Sequence, residues 1–398
     1  MKAIQSVRGM NDLVAQEALL FQAASDQIAE IFAAYQFELI LPPIVEKTEL
    51  FARSIGDATD IVEKEMYTFT DRNDESLTLR PEGTAGVVRA CLERGLIHNQ
   101  IRKFWYIGPM FRHERPQKGR YRQFYQLDAE IFGIATPDIE AETLAMQLRL
   151  FKALKIDSYL TLELNTLGTG EERKAYRQAL IDFLTPLKDR LDEDSQRRLN
   201  SNPLRILDSK DEQTQALLQD APKLQEFLSH ASQQHFTMLK SYLNTLGIPY
   251  RENPNLVRGL DYYSHTVFEW TTTVLGAQAT LCGGGRYDGL VEQLGGQSTP
   301  AFGFAMGMER LILLLELSQF KPEIRIPDIF IMTAESTIAN CIQLAEKLRS
   351  DGFHVTLNSG GGSLKSQRKR AEKSLAKMIL EPEQTGSYPE LIRILRNG

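Results

Sequence analysis

Five cations crowd one short stretch of this acidic chain. In FRHERPQKGRYRQFYQ (111–126), Arg112, Arg115, Lys118, Arg120 and Arg122 surround a single carboxylate, Glu114. Such a cluster is either a solvated turn between strands or a surface that an anion gathers. Three features favour the anion. Arginine outnumbers lysine, and its planar fork suits bidentate contact with phosphate. Gly119 lets backbone approach a ligand closely. Tyr121 and Phe124 have faces on which a base could stack, as at single-stranded nucleic-acid sites. A nucleotide, an RNA end, or both would account for the cluster.

Other stretches supply complementary chemistry. In the run that follows the basic stretch, Gln126, Asp128 and Glu130 share one face with Phe124 if the segment is a strand. Polar groups on an inner face are costly unless partnered, so they point to a lined pocket or to a wet sheet face. LRPEGTAG (79–86) places Glu82 and Thr84 where a strand passes into a helix. There they can cap the helix, Thr84 as N-cap and Glu82 favoured by the dipole, or grip an ammonium group. RGLDYYSHTVFEW (258–270) gathers Arg258, Asp261, Tyr262 and Tyr263, and an arginine entering so apolar a strand needs an anionic partner. GFAMGMERL (303–311) puts Glu309 and Arg310 at a helix start, where the dipole disfavours a cation, so Arg310 should face a ligand or a carboxylate. LCGGGRYDGL (281–290) and SGGGSLKS (359–366) are glycine-rich but match neither GxGxxG nor GxxxxGK[ST], so a nucleotide here would be held by arginines on strands. The six histidines form no metalloprotease or triad pattern.

These residues need a scaffold, and the chain length of 398 allows two or three domains with a sizeable core. Residues 13–35 carry Phe21, Ala24, Ile28, Ile31 and Tyr35 at helical spacing. FELILPPIVE (37–46) reads as a strand closed by Pro42 and Pro43, at a sheet edge or an interface. Residues 66–80 read as a hairpin, 84–97 as a helix, and 103–114 and 122–133 as two strands joined by the basic loop. From 168 to 246 the texture turns to long polar helices; strands return at 256–273, 279–291 and 301–307, before the apolar helix 308–317. Strand runs interrupted by a helical insertion imply an α+β core around a mainly antiparallel sheet. Residues 318–326 read as a linker to a small βαβαβ domain. A composition of 42% hydrophobic and 25% charged residues, with net charge −6, is that of an ordinary globular protein. Cys91, Cys282 and Cys341 lie far apart, which argues against a disulfide framework or zinc site. With no signal-peptide core and no long apolar run, a cytoplasmic location and no membrane association are expected.

Taken in order, five segments resemble the class II aminoacyl-tRNA synthetases, and closely the bacterial histidyl-tRNA synthetase family. FELILPPIVE is similar to motif 1, FRHERPQKGRYRQFYQ to motif 2 and GFAMGMERL to motif 3. LVRGLDYY and CGGGRYDGL resemble that family's two histidine-specific signatures. The resemblance implies a catalytic domain over 1–325 with a helical insertion at 168–246. Residues 326–398 become an anticodon-binding-like α/β domain that looks shortened. It implies a homodimeric ligase that joins L-histidine to tRNA(His) with ATP, through a histidyl-adenylate, Mg²⁺ accompanying the ATP phosphates. Glu82, Gly83 and Thr84 would receive the histidine α-amino group and Gln126 its backbone end. Glu130, Tyr263 and Tyr287 would face the imidazole, with Tyr262 beside them. Arg112 and Arg310 would clamp the triphosphate, Glu114 and Tyr121 would hold adenine, and Arg120 and Phe124 would complete the ATP site. Arg258, against the α-phosphate, and Arg112 would be the catalytic residues, both also reaching the histidine.

The chain departs from the family pattern at Tyr125, where the family commonly has histidine; alternation turns that residue away from Gln126. Two other functions compete with the ligase: a histidine-binding regulatory paralogue of ATP phosphoribosyltransferase, and a ligase with a non-tRNA acceptor. Paralogues of the first kind typically lack the arginines that this chain keeps at 112, 120 and 258. The RPQKGR loop and the 168–246 insertion count against the second.

Overall fold

Alternating apolar and polar residues in the two longest strand runs build the central element, an eight-stranded sheet. The computed structural model describes residues 3–56, 59, 61–260, 262–276, 279–323, 326–382 and 388–397. In chain order its strands are β1 (Glu38–Leu39), β2 (Val45–Lys47), β3 (Tyr67–Thr70), β4 (Ser76–Leu79), β5 (Arg102–Phe111), β6 (Gln123–Phe132) and β7 (Thr161–Thr166). Then come β8 (Arg251–Glu252), β9 (Ser264–Thr272), β10 (Ala279–Arg286) and β11 (Ala301–Gly307), followed by β12 (Ile329–Ile331), β13 (Val355–Leu357) and β14 (Met378–Leu380). The large sheet runs β1-β5-β6-β11-β10-β9-β7-β8, antiparallel except at its two outer pairs. The chain divides into two compact units, Met1–Lys321 and Pro322–Gly398.

In the first unit the pleat of β6 sorts the site from the core. Leu127, Ala129 and Ile131 join a cluster with Leu20, Ile28 and Phe32 of the helix Ala15–Ala34 and Leu311 and Leu315 of the helix Met308–Leu317. Gln126, Asp128 and Glu130 therefore lie on the opposite face. Tyr125 packs edge-on against Phe21 at 5.2 Å, on the core side, as alternation requires. A second cluster, including Val87, Val88, Tyr106, Tyr262, Tyr263 and Tyr287, fills the other face.

Two expectations fail. FELILPPIVE is not one strand: β1 and β2 belong to different sheets, and the carbonyls of Pro42 and Pro43 between them accept from Arg80 Nη1 at 2.9 and 3.3 Å. A sequence-distant guanidinium thus replaces the ladder that prolines cannot complete. Residues 256–263 precede β9 and are not part of it. The stretch 134–167, unassigned from sequence, holds the helix Asp138–Ala153 and β7. The hairpin β3–β4, the basic loop between β5 and β6, and the helical texture of 168–246 are as expected.

The second unit is a parallel sheet, β13-β12-β14, with the helices Ile338–Ser350, Leu364–Lys373 and Tyr388–Asn397. Ile329, Ile331, Cys341, Ala345, Leu348 and Leu391 form its core. Its βαβαβ order follows the sequence reading; the last helix was not anticipated. The three cysteines are free and buried. Among the described residues no helix is long and apolar enough to cross a membrane.

Candidate active site

The helix Thr84–Glu93 begins at Gly83, which makes no side-chain cap. Its first amides are satisfied from one residue earlier: Glu82 accepts the N–H of Thr84 at 2.8 Å and of Ala85 at 2.9 Å. Thr84, expected from sequence as a possible N-cap, instead donates its hydroxyl to Glu130 Oε1 at 2.6 Å. Tyr287 donates to the other Glu130 oxygen. Burial pushes Glu82 above its usual value, offset in part by those amides and by Arg112. Burial raises Glu130 well above the ordinary range, against the pull of Thr84 and Tyr287.

A cavity of about 400 Å³ opens over this helix start and the polar face of β6. Twelve of the fifteen residues expected at the site line it: Glu82, Thr84, Arg112, Glu114, Arg120, Tyr121, Phe124, Gln126, Arg258, Tyr262, Tyr263 and Arg310. Gly83, Glu130 and Tyr287 do not. Glu130 and Tyr287 lie one layer behind, bonded to each other, because alternation fixes the face of a side chain but not its depth. Asp261 lies outside the described residues.

The cations converge from separate elements. Arg112, one residue past β5, donates Nε to Pro81 O at 2.8 Å and sits over the Phe124 ring at 5.3 Å. Arg120 pairs with Glu114, and Arg310 donates to the carbonyls of Gly119 and Thr280. Arg258 pairs with Glu269 of β9 and lies over the Tyr263 ring at 5.5 Å. A Cβ at Gly283 would come within 2.6 Å of Arg258 Nη1, so the glycine-rich strand serves close approach and is no phosphate loop. Burial lowers the proton affinity of Arg112 and of Arg310. Of the remaining basic-loop residues, Arg122 is anchored to the Glu114 carbonyl at 3.1 Å, while Arg115 and Lys118 are exposed.

Sequence reasoning left Asp128, Glu269 and Thr280 off the site, and all three line the cavity. The period of β6 put Asp128 on the right face and was its one available signal. Glu269 has no signal except that Arg258 needs an anion. Arg258 Nε, Gln126 Oε1 and Asp128 Oδ2 are buried without a partner among the described residues. A pocket with fixed cations and unfilled hydrogen-bonding atoms is organised for a charged ligand.

An antiparallel sheet with arginines brought to it from the residue past β5 (Arg112), the segment before β9 (Arg258) and a helix start (Arg310), and not from strands as the sequence suggested, without a glycine-rich phosphate loop, is the core of a class II aminoacyl-tRNA synthetase. The family profile described as histidyl-tRNA synthetase matches residues 9–311. A histidine–tRNA ligase of Marinomonas sp. (strain MWYL1) is 53% identical over 385 residues, 95% of this chain and 91% of the relative. Apo S. aureus histidyl-tRNA synthetase aligns with a TM-score of 0.80 at 37% identity, covering 96% of this chain and 92% of that one. An ATP phosphoribosyltransferase regulatory subunit/histidyl-tRNA synthetase from Bacillus halodurans C shares the fold at 19% identity and a TM-score of 0.68, over 96% of this chain and 98% of that one. The chain belongs to the histidyl-tRNA synthetase family.

Proposed function

We propose that this protein activates L-histidine with ATP, releasing pyrophosphate, and transfers the histidyl group from the adenylate to the 3′ end of tRNA(His). The observation that carries the reading is the convergence of Arg112, Arg258 and Arg310 on one cavity whose floor carries Glu82 and Gln126. In the first step the histidine carboxylate attacks the α-phosphorus in line and pyrophosphate leaves. That carboxylate is already ionised, so no general base is required. The work is positioning plus fixed positive charge, and arginine keeps its charge throughout. Arg258 stands against the α-phosphate and Arg112 bridges histidine and phosphate. Arg310 holds the distal phosphates, and Glu114, Arg120, Tyr121 and Phe124 hold the base. Glu82, Gly83, Thr84 and Gln126 receive the backbone end of histidine. Tyr262 and Tyr263 flank the imidazole, and Glu130 and Tyr287 support that end from behind.

Mg²⁺ would arrive with the nucleotide and neutralise phosphate charge. An ion of this kind is held mainly by substrate oxygens with one or two carboxylates. We assign the open edge at β1, with exposed Leu39, Leu41 and Ile44, to a second copy of the chain, and the protein to the cytoplasm. The catalytic domain spans 1–325, with the insertion 168–246 as its tRNA-clasping part, and 326–398 contributes anticodon recognition.

The test is histidine-dependent ATP–pyrophosphate exchange by the purified chain without tRNA. Exchange specific to histidine is the expected result. A folded protein that binds histidine without exchange would be a sensor of the regulatory kind, and the ligase reading would fall.

A further inference from the structure

We propose that Asp128 is the counter-charge for the α-ammonium group of the amino-acid substrate, a specificity residue of the same site. The proposal rests on the histidine-binding reading above and deepens it.

β5 and β6 set Asp128 directly opposite Tyr106, with Gln126 two residues along on the same face. Asp128 is 1% exposed, yet it lines the cavity. Its Oδ2 has no partner, and neither has Tyr106 Oη or Gln126 Oε1. Leaving buried acceptors unpaired is costly, and a carboxylate oxygen costs most. Folded proteins retain such a set where something else completes it.

The neighbouring carboxylates are already engaged. Both oxygens of Glu82 accept amides of the helix start, and both oxygens of Glu130 accept hydroxyls. Of the three carboxylates at the helix start, Asp128 has an oxygen to spare. The nearby guanidiniums are committed elsewhere: Arg80 to the carbonyls of Pro42, Pro43 and Pro109, Arg112 to Pro81 O and the Phe124 ring. Gly83 seats the helix start on this spot, since a Cβ there would lie 2.7 Å from Asp128 Oδ1 and collide with the Tyr106 hydroxyl.

The missing group must therefore donate hydrogen bonds and carry positive charge. A primary ammonium offers three N–H donors, and Asp128 Oδ2 and Gln126 Oε1 take two. A remaining Glu82 lone pair can take the third. The substrate carboxylate then lies towards Arg112, so opposite charges of the amino acid meet opposite charges of the pocket. Water would fill the hydrogen bonds but not balance a carboxylate. Burial, reinforced by Glu82 and offset only in part by the charges of Arg80 and Arg112, pushes the Asp128 carboxyl well above its usual value, so an arriving ammonium also favours its ionised form.

The experiment is calorimetric binding to the full chain of three ligands: L-histidine, histamine (ammonium without carboxylate) and imidazolepropionate (carboxylate without ammonium). Asp128→Asn should weaken histidine and histamine about ten- to a hundredfold, the range for a charge-assisted hydrogen bond. Imidazolepropionate should change by less than about twofold. Equal losses for all three ligands, or no loss for histidine, would overturn the assignment. If the asparagine variant does not fold, Asp128→Ser, which removes volume and adds none, gives the same readout. Wild-type protein that binds none of the ligands would overturn the histidine reading itself, and this assignment with it.

Discussion

Arg258 and Arg286 both meet a carboxylate beneath the surface of the first unit, within 28 residues of one another. Their surroundings differ in one respect. Arg286 and Glu140 are wholly buried, and every nitrogen of the guanidinium donates: Nε to Glu140 at 2.7 Å, Nη1 to Ile134 O at 2.9 Å and Asp288 at 3.2 Å, Nη2 to Thr136 O at 3.4 Å, so that the atom of the pair left without a partner among the described residues is an acceptor, Glu140 Oε2. His235 from the helical insertion adds a second bond to the same Glu140 oxygen at 2.8 Å. Although burial opposes its charge, His235 and Arg286 hold the Glu140 carboxyl below its usual value. Arg258 and Glu269 keep 17% and 18% of their side chains exposed to the cavity, and Arg258 Nε is unpartnered. Both pairs bury charge, so burial alone does not separate them. The unfilled donor does: a guanidinium whose every nitrogen donates to the protein fixes geometry, and one with a free nitrogen beside a cavity can exchange its partner for a ligand.

The largest effect should follow from breaking the sealed pair. Arg286→Met strands Glu140 and should cost about 3–5 kcal/mol in urea unfolding, whereas Arg286→Met with Glu140→Leu should recover most of it. A single-variant cost near zero would mean that the pair is not sealed. Arg258→Ala should do the converse. Loss of one preorganised donor costs about a hundred- to a thousandfold in rate, so histidine-dependent exchange should fall by at least that much. Cavity water can reach Glu269, so stability should drop by no more than about 1 kcal/mol. Exchange within tenfold of wild type would erase the distinction between the two arginines.

What the sequence disclosed follows its range. Patterns of period two and 3.6 are local, so β5, β6 and the helix Ala15–Ala34 were legible, and so was the face shared by Gln126, Asp128 and Glu130. Arg112, Arg258 and Arg310 were legible as residues needing anions. Partners distant in the chain were not. Glu140 and Arg286 stand 146 residues apart, and nothing in either segment names the other. Arg80 breaks FELILPPIVE from 38 residues away. Depth was equally hidden: no local pattern says that Glu130 sits behind the cavity while Asp128, two residues earlier, opens onto it.

Glu309 supplies an intermediate case and the smallest expected effect. Its Oε1 accepts the Tyr125 N–H at 2.8 Å, but no cation pairs with it among the described residues. Burial raises its carboxyl from 4.5 to about 7, and the Tyr125 amide offsets only part of the rise. In the unfolded chain the group ionises near 4.5; in the folded protein it stays protonated until about 7. Its contribution to stability is therefore intact below pH 4.5 and is lost as pH rises through 7. The full difference is on the order of 3 kcal/mol. Glu309→Gln keeps an acceptor for Tyr125 and removes the titration. The variant should match wild type in urea unfolding at pH 4.5 and gain progressively to pH 8. A constant difference across that range would show that this carboxyl, unlike Asp128, is already balanced by its surroundings. One backbone amide would then do for Glu309 what a guanidinium and an imidazole together do for Glu140.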